Sequence, residues 1–534
     1  MSALKSILFA GFAACLAACG GSDDPSTKEI SRVASLDVAS PIDEPFVLKD
    51  AAPIDVDRLI EALPKGARPT FAAAAFDEAL GATVLTDVVV KPVAAALDAP
   101  GIDVNVDVAG VAIDRVEIYG ADVDALRRLF AADASDETLL SAFRKLRLYG
   151  VRGLPPEGAE AADGAATIEA VEIDRLRARP GAFAPGAAAA GPFDAYAFDG
   201  VFLKGVALED PSASPEEGAA SFRAPDVRFV GGGGKRLNAI VAKAVEAGVA
   251  GPDPGGAGVQ AALLGAVFPG FEPPASQRTL IEEFAWRDLD FRDPDAVDLG
   301  AVALTNMQTF LDGRLFAQAP RVDVSEMAFA DGAPATIRAS AKDVIYDFTA
   351  YLPETADKAR AALVERGLDA AVGESEISYD WRTRDGAGEL RSRFRSETLA
   401  AVDLAADFAA RPDDSSPTDG PTALSAFDLV IEDNALLDAF FEIAALDGRG
   451  ARMRRTTPTL LRFAGLAAGG VSPRLPDYAD AVADFIEDGG ALVVHAAPAE
   501  PAAFDAIEAA GETPEALPDV LNLTIERRDA SEMN

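Results

Sequence analysis

Residues 376–394 read Glu376-Ile377-Ser378-Tyr379-Asp380-Trp381-Arg382-Thr383-Arg384, then Asp385-Gly386-Ala387-Gly388, then Glu389-Leu390-Arg391-Ser392-Arg393-Phe394. Two runs of extended character flank a glycine-bearing turn, the pattern of a β-hairpin. Residues two apart on a strand share a face, so Arg382 and Arg384 are expected together on the first strand. Arg391, Arg393 and Arg395 are expected together on the second. The same style runs through much of the chain. Thr83 to Val90 reads as a strand. Ile102, Val104, Val106 and Val108 alternate strictly with Asp103, Asn105 and Asp107, as in a half-buried antiparallel strand. Val111 to Tyr119 resumes the pattern, with a break at Arg115.

Val116-Glu117-Ile118-Tyr119-Gly120 recurs as Leu146-Arg147-Leu148-Tyr149-Gly150, Val171-Glu172-Ile173 echoes it, and Phe198 to Val206 continues the style. The spacing is uneven, so a true repeat and an ordinary meander both fit. Short helices are expected at 122–131 and 354–369. Toward the chain end, Asp433 to Leu446 reads as a helix carrying Leu436, Leu437, Phe440 and Ile443. Arg449, Arg452, Arg454 and Arg455 follow in an expected loop. Pro458 then starts a helix whose stripe, Leu460, Leu461, Phe463 and Leu466, is read as core. A third helix carries Tyr478, Val482, Phe485 and Ile486, and strands follow around His495 and at Leu521 to Ile525. The fold class expected is α+β: β-rich, with long antiparallel meandering sheets, short interposed helices and a helical C-terminal part. The divisions expected are a signal at 1–18, a flexible tether at 19–45, a strand-rich domain at 46–270, a second strand-rich block at 271–420, and an α+β region at 421–534.

Composition narrows the chemistry. Lys and Arg number 48 against 87 Asp and Glu, a formal net charge of −39, which opposes nucleic acid and anionic membrane surfaces as broad partners. The hydrophobic share of 49% is that of a folded chain. The two cysteines are Cys15 and Cys19, so the body has no thiol for disulfides, nucleophilic catalysis or metal binding. His495 is the single histidine, at the end of an expected strand; no nucleophile motif accompanies it, and a structural role is expected. Val227-Arg228-Phe229-Val230, Gly231 to Gly234 and Lys235, with a helix expected to about Ala247, follow the order of a phosphate loop. Phe229 stands where the first glycine belongs and Arg236 where Ser or Thr would hold magnesium, so a plain connection is expected. Gly256 to Ala261 imitates a dinucleotide fingerprint but follows a loop. Asp288, Asp290, Asp293 and Asp295 miss the calcium-loop spacing and read as a solvated acidic loop. No cofactor or metal is expected.

Five arginines on one hairpin of an acidic chain, Arg382, Arg384, Arg391, Arg393 and Arg395, carry two readings. One is a docking face for a phosphate, a carboxylate or an acidic partner. The other is pairing across strands with the chain's own acids.

The N-terminus has Lys5, an apolar run from Ile7 to Ala14, and Leu16-Ala17-Ala18-Cys19. It resembles a bacterial lipoprotein signal with its lipobox. The resemblance implies Cys19 as the lipid-bearing first residue of the mature protein, with a membrane as partner through that anchor. Gly20, in place of the aspartate that retains lipoproteins at the inner membrane, implies the outer membrane, facing the periplasm. The meandering amphipathic strands and the run FIEDGGALVVHAAPAEPAAF (485–504) resemble envelope proteins of the YdgA/AsmA-like kind. That implies a curved sheet whose apolar face shelters a lipid chain. Three functions are therefore in play: a non-enzymatic scaffold or lipid-binding envelope lipoprotein, a structural subunit docking an acidic partner through the arginine hairpin, and a metal-independent hydrolase.

Overall fold

The computed structural model describes residues 41–529, except 66–67, 92–96, 100–101, 105–109, 132–137, 155–164, 185–192, 211–218, 251–273, 294, 331–332, 353–354, 383, 411–420, 446, 471 and 512–515. The signal, Cys19, nearly all of the tether, most of the alternating run 102–108 and the Gly256–Ala261 segment lie outside these. Of that run, Ile102–Val104 pairs as a small hairpin with Leu97–Ala99. With 54% strand and 22% helix, and antiparallel pairing throughout the registers described below, the chain is β-rich with several helices, as expected. It divides into two compact units. Among the described residues one takes 41–250 and Arg278–Thr305, the other 274–277 and Asn306 onward.

In the first unit, β1 (Ala73–Asp77), β2 (Ala82–Val90), β3 (Gly110–Tyr119), β4 (Lys145–Leu154), β5 (Ala165–Asp174), β6 (Tyr196–Asp210), β7 (Ala219–Gly232) and β8 (Arg236–Ala250) each pair with the next. Directly opposed residues share a face. Leu85, Val116, Leu148, Val171, Leu203 and Val227 form one apolar row. Thus the sequence echoes are neighbouring strands laid side by side. On this face pack α1 (Val56–Ala62) and α2 (Val123–Leu129), capped by Asp55 and Asp122.

The expected break at Arg115 is not a strand end. It belongs to a line of kinks that crosses the sheet. Asp87, Gly150, Gly205 and Ala244, on alternate strands, have φ of 50°, 63°, 63° and 49°. The partner of Gly205 on β7 is Pro225, which has no N–H to give the ladder. Kinks met at the same step on neighbouring strands shift the alternation by one on each without slipping the register. Leu85 and Val88, and likewise Ile113 and Val116, are three apart yet join the same core.

The other face is ionic and buried. Glu172, fully buried, accepts hydrogen bonds from Lys145 and from Arg147 Nε at 2.7 Å. Glu117 accepts from Tyr119 at 2.8 Å and Arg115 at 2.9 Å. Burial, then the Glu117 carboxylate, pushes the Tyr119 hydroxyl up. Residues 41–48 lie over this network, so 41–45, expected as the end of the flexible tether, instead belong to the packed body. Arg147 donates to the Pro41 carbonyl at 2.7 Å, Ile42 packs on Ala170 and Phe202, and Phe46 stands edge-on to Tyr119.

The Gly231–Lys235 segment is a hairpin turn, and no helix follows it. Gly231, Gly234 and Lys235 take positive φ, and β8 begins at Arg236. Leu237, Ala239 and Val241 are buried at period two, which a strand satisfies and a helix does not. Without a helix N-terminus the phosphate-loop geometry is gone. The acidic run begins on β9 (Ser276–Asp290).

The second unit is another nearest-neighbour ladder: β10 (Arg314–Ala330), β11 (Ala333–Asp347), β12 (Ala370–Arg382), β13 (Ala387–Arg395), β14 (Ala400–Ala409), β15 (Ala423–Asp433), β16 (Gly490–Ala496) and β17 (Leu523–Arg528). Its helices are inserted between strands: α3 (Asp357–Arg366), then α4 (Leu436–Ala445), α5 (Gly450–Ala468) and α6 (Leu475–Asp488), then α7 (Phe504–Gly511) and α8 (Leu517–Val520). The opening hairpin is present, with Arg382 opposite Ala387. Arg384 lies in its turn and not on the strand, because the Gly386 and Asp385 amides already bond the Arg382 carbonyl. β17 starts two residues after Leu521, beyond Asn522 at φ 46°.

Two expectations for α5 fail. Arg452, Arg454 and Arg455 are helical, and Pro458 is interior to the helix, not its start. Proline has no amide to give the Arg454 carbonyl four residues before it. In the preceding turn, the Thr456 and Thr457 hydroxyls donate to the Met453 carbonyl at 3.1 and 2.9 Å. The stripe read as core is also mostly outside: Leu461 packs inward, whereas Leu460, Phe463 and Leu466 are exposed. The helix turns its small residues inward so that neighbours can approach closely. A Cβ on Gly465 would stand 2.4 Å from that of Ala479, and one on Gly450 2.5 Å from the Glu442 amide.

Removing one partner from a buried ionic group strands the others, so Glu172→Ala should cost about 3–5 kcal/mol in urea unfolding of the first unit. Gly234 has open space around it, and Gly234→Ala should cost about 1 kcal/mol for the left-handed backbone alone. A Cβ on Gly205 would meet that of Glu169 at 2.8 Å, so Gly205→Ala should cost about 2–4 kcal/mol. Equal losses at the two glycines would refute the row of kinks as a packed feature.

Candidate functional site

The register of the second unit sorts its side chains into two faces. On one face, Ile337, Tyr379, Leu390, Ala406, Phe427 and Ala496 form a row across six strands. Beside it run Ala339, Ile377, Ser392, Leu404, Leu429, Val494 and Ile525. The apolar clusters made with the helices take in Ile431, Leu492, Ala371 and Leu399, toward one end of the strands. Ile377, Tyr379, Leu390, Leu404, Phe427 and Leu429 belong to neither cluster, and all six are half-buried. A contiguous apolar sheet face left part-open is a surface for apolar ligands. Alternation at period two was readable for single strands. Only the register aligns these residues into rows.

The opposite face carries the arginine ladder. Arg391 pairs with Glu389 at 3.1 Å and Asp407 at 2.9 Å, and Arg393 with Asp403 at 2.8 Å. Arg395 shares Asp403 at 2.8 Å, and Arg382 meets Asp385 at 3.4 Å. The hydrogen bond to Asp403 raises the Arg393 pKa further. Burial raises that of Glu376, which stands opposite. Four of the five arginines are thus engaged by the chain's own acids. Arg384 is exposed in the turn, without an ion pair among the described residues.

His495 Nδ1 lies 2.6 Å from the Asp428 carboxylate on the neighbouring strand. Thr524 is opposite on the other side, but its hydroxyl donates to the His495 carbonyl at 3.5 Å and not to the ring. The histidine and the aspartate are 43% and 50% exposed, so the water exclusion that would strengthen a catalytic pair is lacking.

The acidic loop is more structured than expected. Asp290 ends β9 and is held by Arg236 at 2.8 Å and Arg292 at 2.6 Å, and hydrogen bonds from Arg292 keep its carboxyl well below the usual range. Asp293 and Asp298 accept the amides of Asp295 and Gly300. Asp290, Arg292, Asp293, Ala296 and Asp298 line a shallow open cavity. Among the described residues no group of three or more His, Cys, Asp or Glu is placed to hold a metal ion. Among them, too, no helix is long and apolar enough to cross a membrane.

A family model described only as an uncharacterized protein matches residues 395–528, from the last residue of β13 through β17. No curated protein matches the chain.

Half-exposed ion pairs contribute about 0–1 kcal/mol each. The double substitution Arg391→Ala/Arg393→Ala should therefore lower stability by about 1 kcal/mol or less in urea unfolding, with the difference shrinking at high salt. A loss of several kcal/mol would mean that the ladder holds the sheet together.

Proposed function

We propose that the protein is a non-enzymatic, lipid-anchored protein of the bacterial envelope that holds the acyl part of a lipid on the apolar face of its second unit. The single observation that carries the reading is the part-open pair of rows running through Ile377, Leu404 and Leu429 and through Tyr379, Leu390 and Phe427. An acyl chain laid along such a face gains about 0.8 kcal/mol per buried CH₂ and needs no polar partner. That suits a surface lacking charged side chains. Cys19 would carry the anchor, and residues 19–40 would tether the body to the outer membrane on its periplasmic side, with the ligand's own membrane near at hand. Docking of an acidic partner on the arginine hairpin has less support, since four of those arginines are already paired.

Native mass spectrometry of the full chain purified from its own envelope, followed by lipid extraction, tests this. A lipid should accompany the chain at close to one per molecule. Leu404→Asp/Leu429→Asp, which places two carboxylates in the rows, should reduce its occupancy about tenfold or more. A bare protein mass, or equal lipid on both proteins, would count against the reading.

A further inference from the structure

α5 presents a face that none of the described residues covers. Leu460, Phe463 and Leu466 are 67%, 74% and 73% exposed, and Ala464 and Ala467 beside them are exposed too. About one and a half to two turns before Leu460, on the same outward side, stand Arg455 and Arg452, both exposed and without an ion pair among the described residues. The 19 residues of this helix include four arginines and no acid, in a chain whose acids outnumber its bases 87 to 48. Arg454 and Arg462 turn toward Asp438 and Asp484 of the flanking helices, at 2.7 and 2.6 Å. The outward face is thus cationic at one end and apolar at the other.

We propose that α5 docks on an anionic phospholipid bilayer and lies in its interface. Leu460, Phe463 and Leu466 would enter the acyl boundary, and Arg452 and Arg455 would meet lipid phosphates. The chemistry on each side matches. Apolar side chains beside guanidinium groups bind membranes by burial plus attraction to anionic headgroups. Charges farther than about 8–10 Å are screened at ordinary ionic strength, so the acidic remainder of the chain does not cancel the contact. A second copy of this chain is the less favoured occupant, because a like face would bring the same arginines against Arg452 and Arg455. The proposal does not depend on acyl binding by the sheet.

The test uses the full-length chain with Cys15→Ser and Cys19→Ser, so that no acyl anchor is attached, and with a polarity-sensitive fluorophore on Ala467→Cys. Vesicles of equimolar phosphatidylcholine and phosphatidylglycerol should shift the emission to the blue, and lipid-borne quenchers should dim it. Arg452→Gln/Arg455→Gln should weaken the apparent affinity for these vesicles about tenfold or more. Leu460→Asp/Leu466→Asp should abolish the shift, with an unchanged melting curve because both sites are exposed. An emission that stays aqueous on saturating vesicles would overturn the proposal. So would a blue shift without lipid that grows with protein concentration, which would make a second copy the occupant.

Discussion

The hydrogen-bonded register between neighbouring antiparallel strands is the constraint on which the described structure depends. Once Leu85 faces Val116 and Val116 faces Leu148, parity fixes the side of every other side chain on those strands. The line of kinks through Asp87, Gly150 and Gly205 is part of that constraint, because a step of three on one strand must be met by the same step on its neighbours. A single unmatched bulge would turn Val88 or Ile113 out of the core. The kinks therefore act as a device spanning the sheet, and Pro225 sits where the ladder has no need of its amide.

Parity also explains how so acidic a chain stays folded. In the first unit one face of the sheet has aliphatic rows, and the other gathers Glu117, Arg147 and Glu172 into a network under residues 41–48. Burying such charges is tolerable only when each has its partner. Glu172 has two basic donors, and Glu117 has a guanidinium and a tyrosine. In the second unit the charged face stays open to solvent, and Arg393 and Arg395 share the single carboxylate of Asp403. There the arginines neutralise neighbouring acids at little gain in stability.

The sequence made the strands legible wherever alternation at period two was clean, as at Ile377, Tyr379 and Trp381. It was misleading where two periods competed. Residues 236–247 are rich in alanine, a good helix former, so a helix was expected after Lys235; the glycine turn and the buried Leu237, Ala239 and Val241 make a strand the lower-energy choice. α5 shows the converse. Its large apolar residues formed the conspicuous stripe, yet Gly450, Pro458 and Gly465 are what it buries. A hydropathy pattern weighs side-chain size, whereas close helix packing selects small residues, so the inward face was invisible to it. The half-buried sheet face was also beyond reach, because strand order and register are tertiary facts.

The exposed Leu460, Phe463 and Leu466 follow from that packing choice. A helix carrying a stripe of large apolar residues gains most by burying it, and α5 forgoes this by holding Gly465 against Ala479. Rotating the helix to bury Phe463 would carry Arg454 away from Asp438 and Arg462 away from Asp484 and Glu487. Every acid within that reach belongs to the flanking elements, and α5 itself supplies only bases. Ion pairs on its sides and glycines on its inner face thus fix one rotation, in which the apolar stripe points outward. The same sheet and helices that bury Leu437, Phe441, Phe485 and Ile486 leave these three residues to whatever meets the outer face.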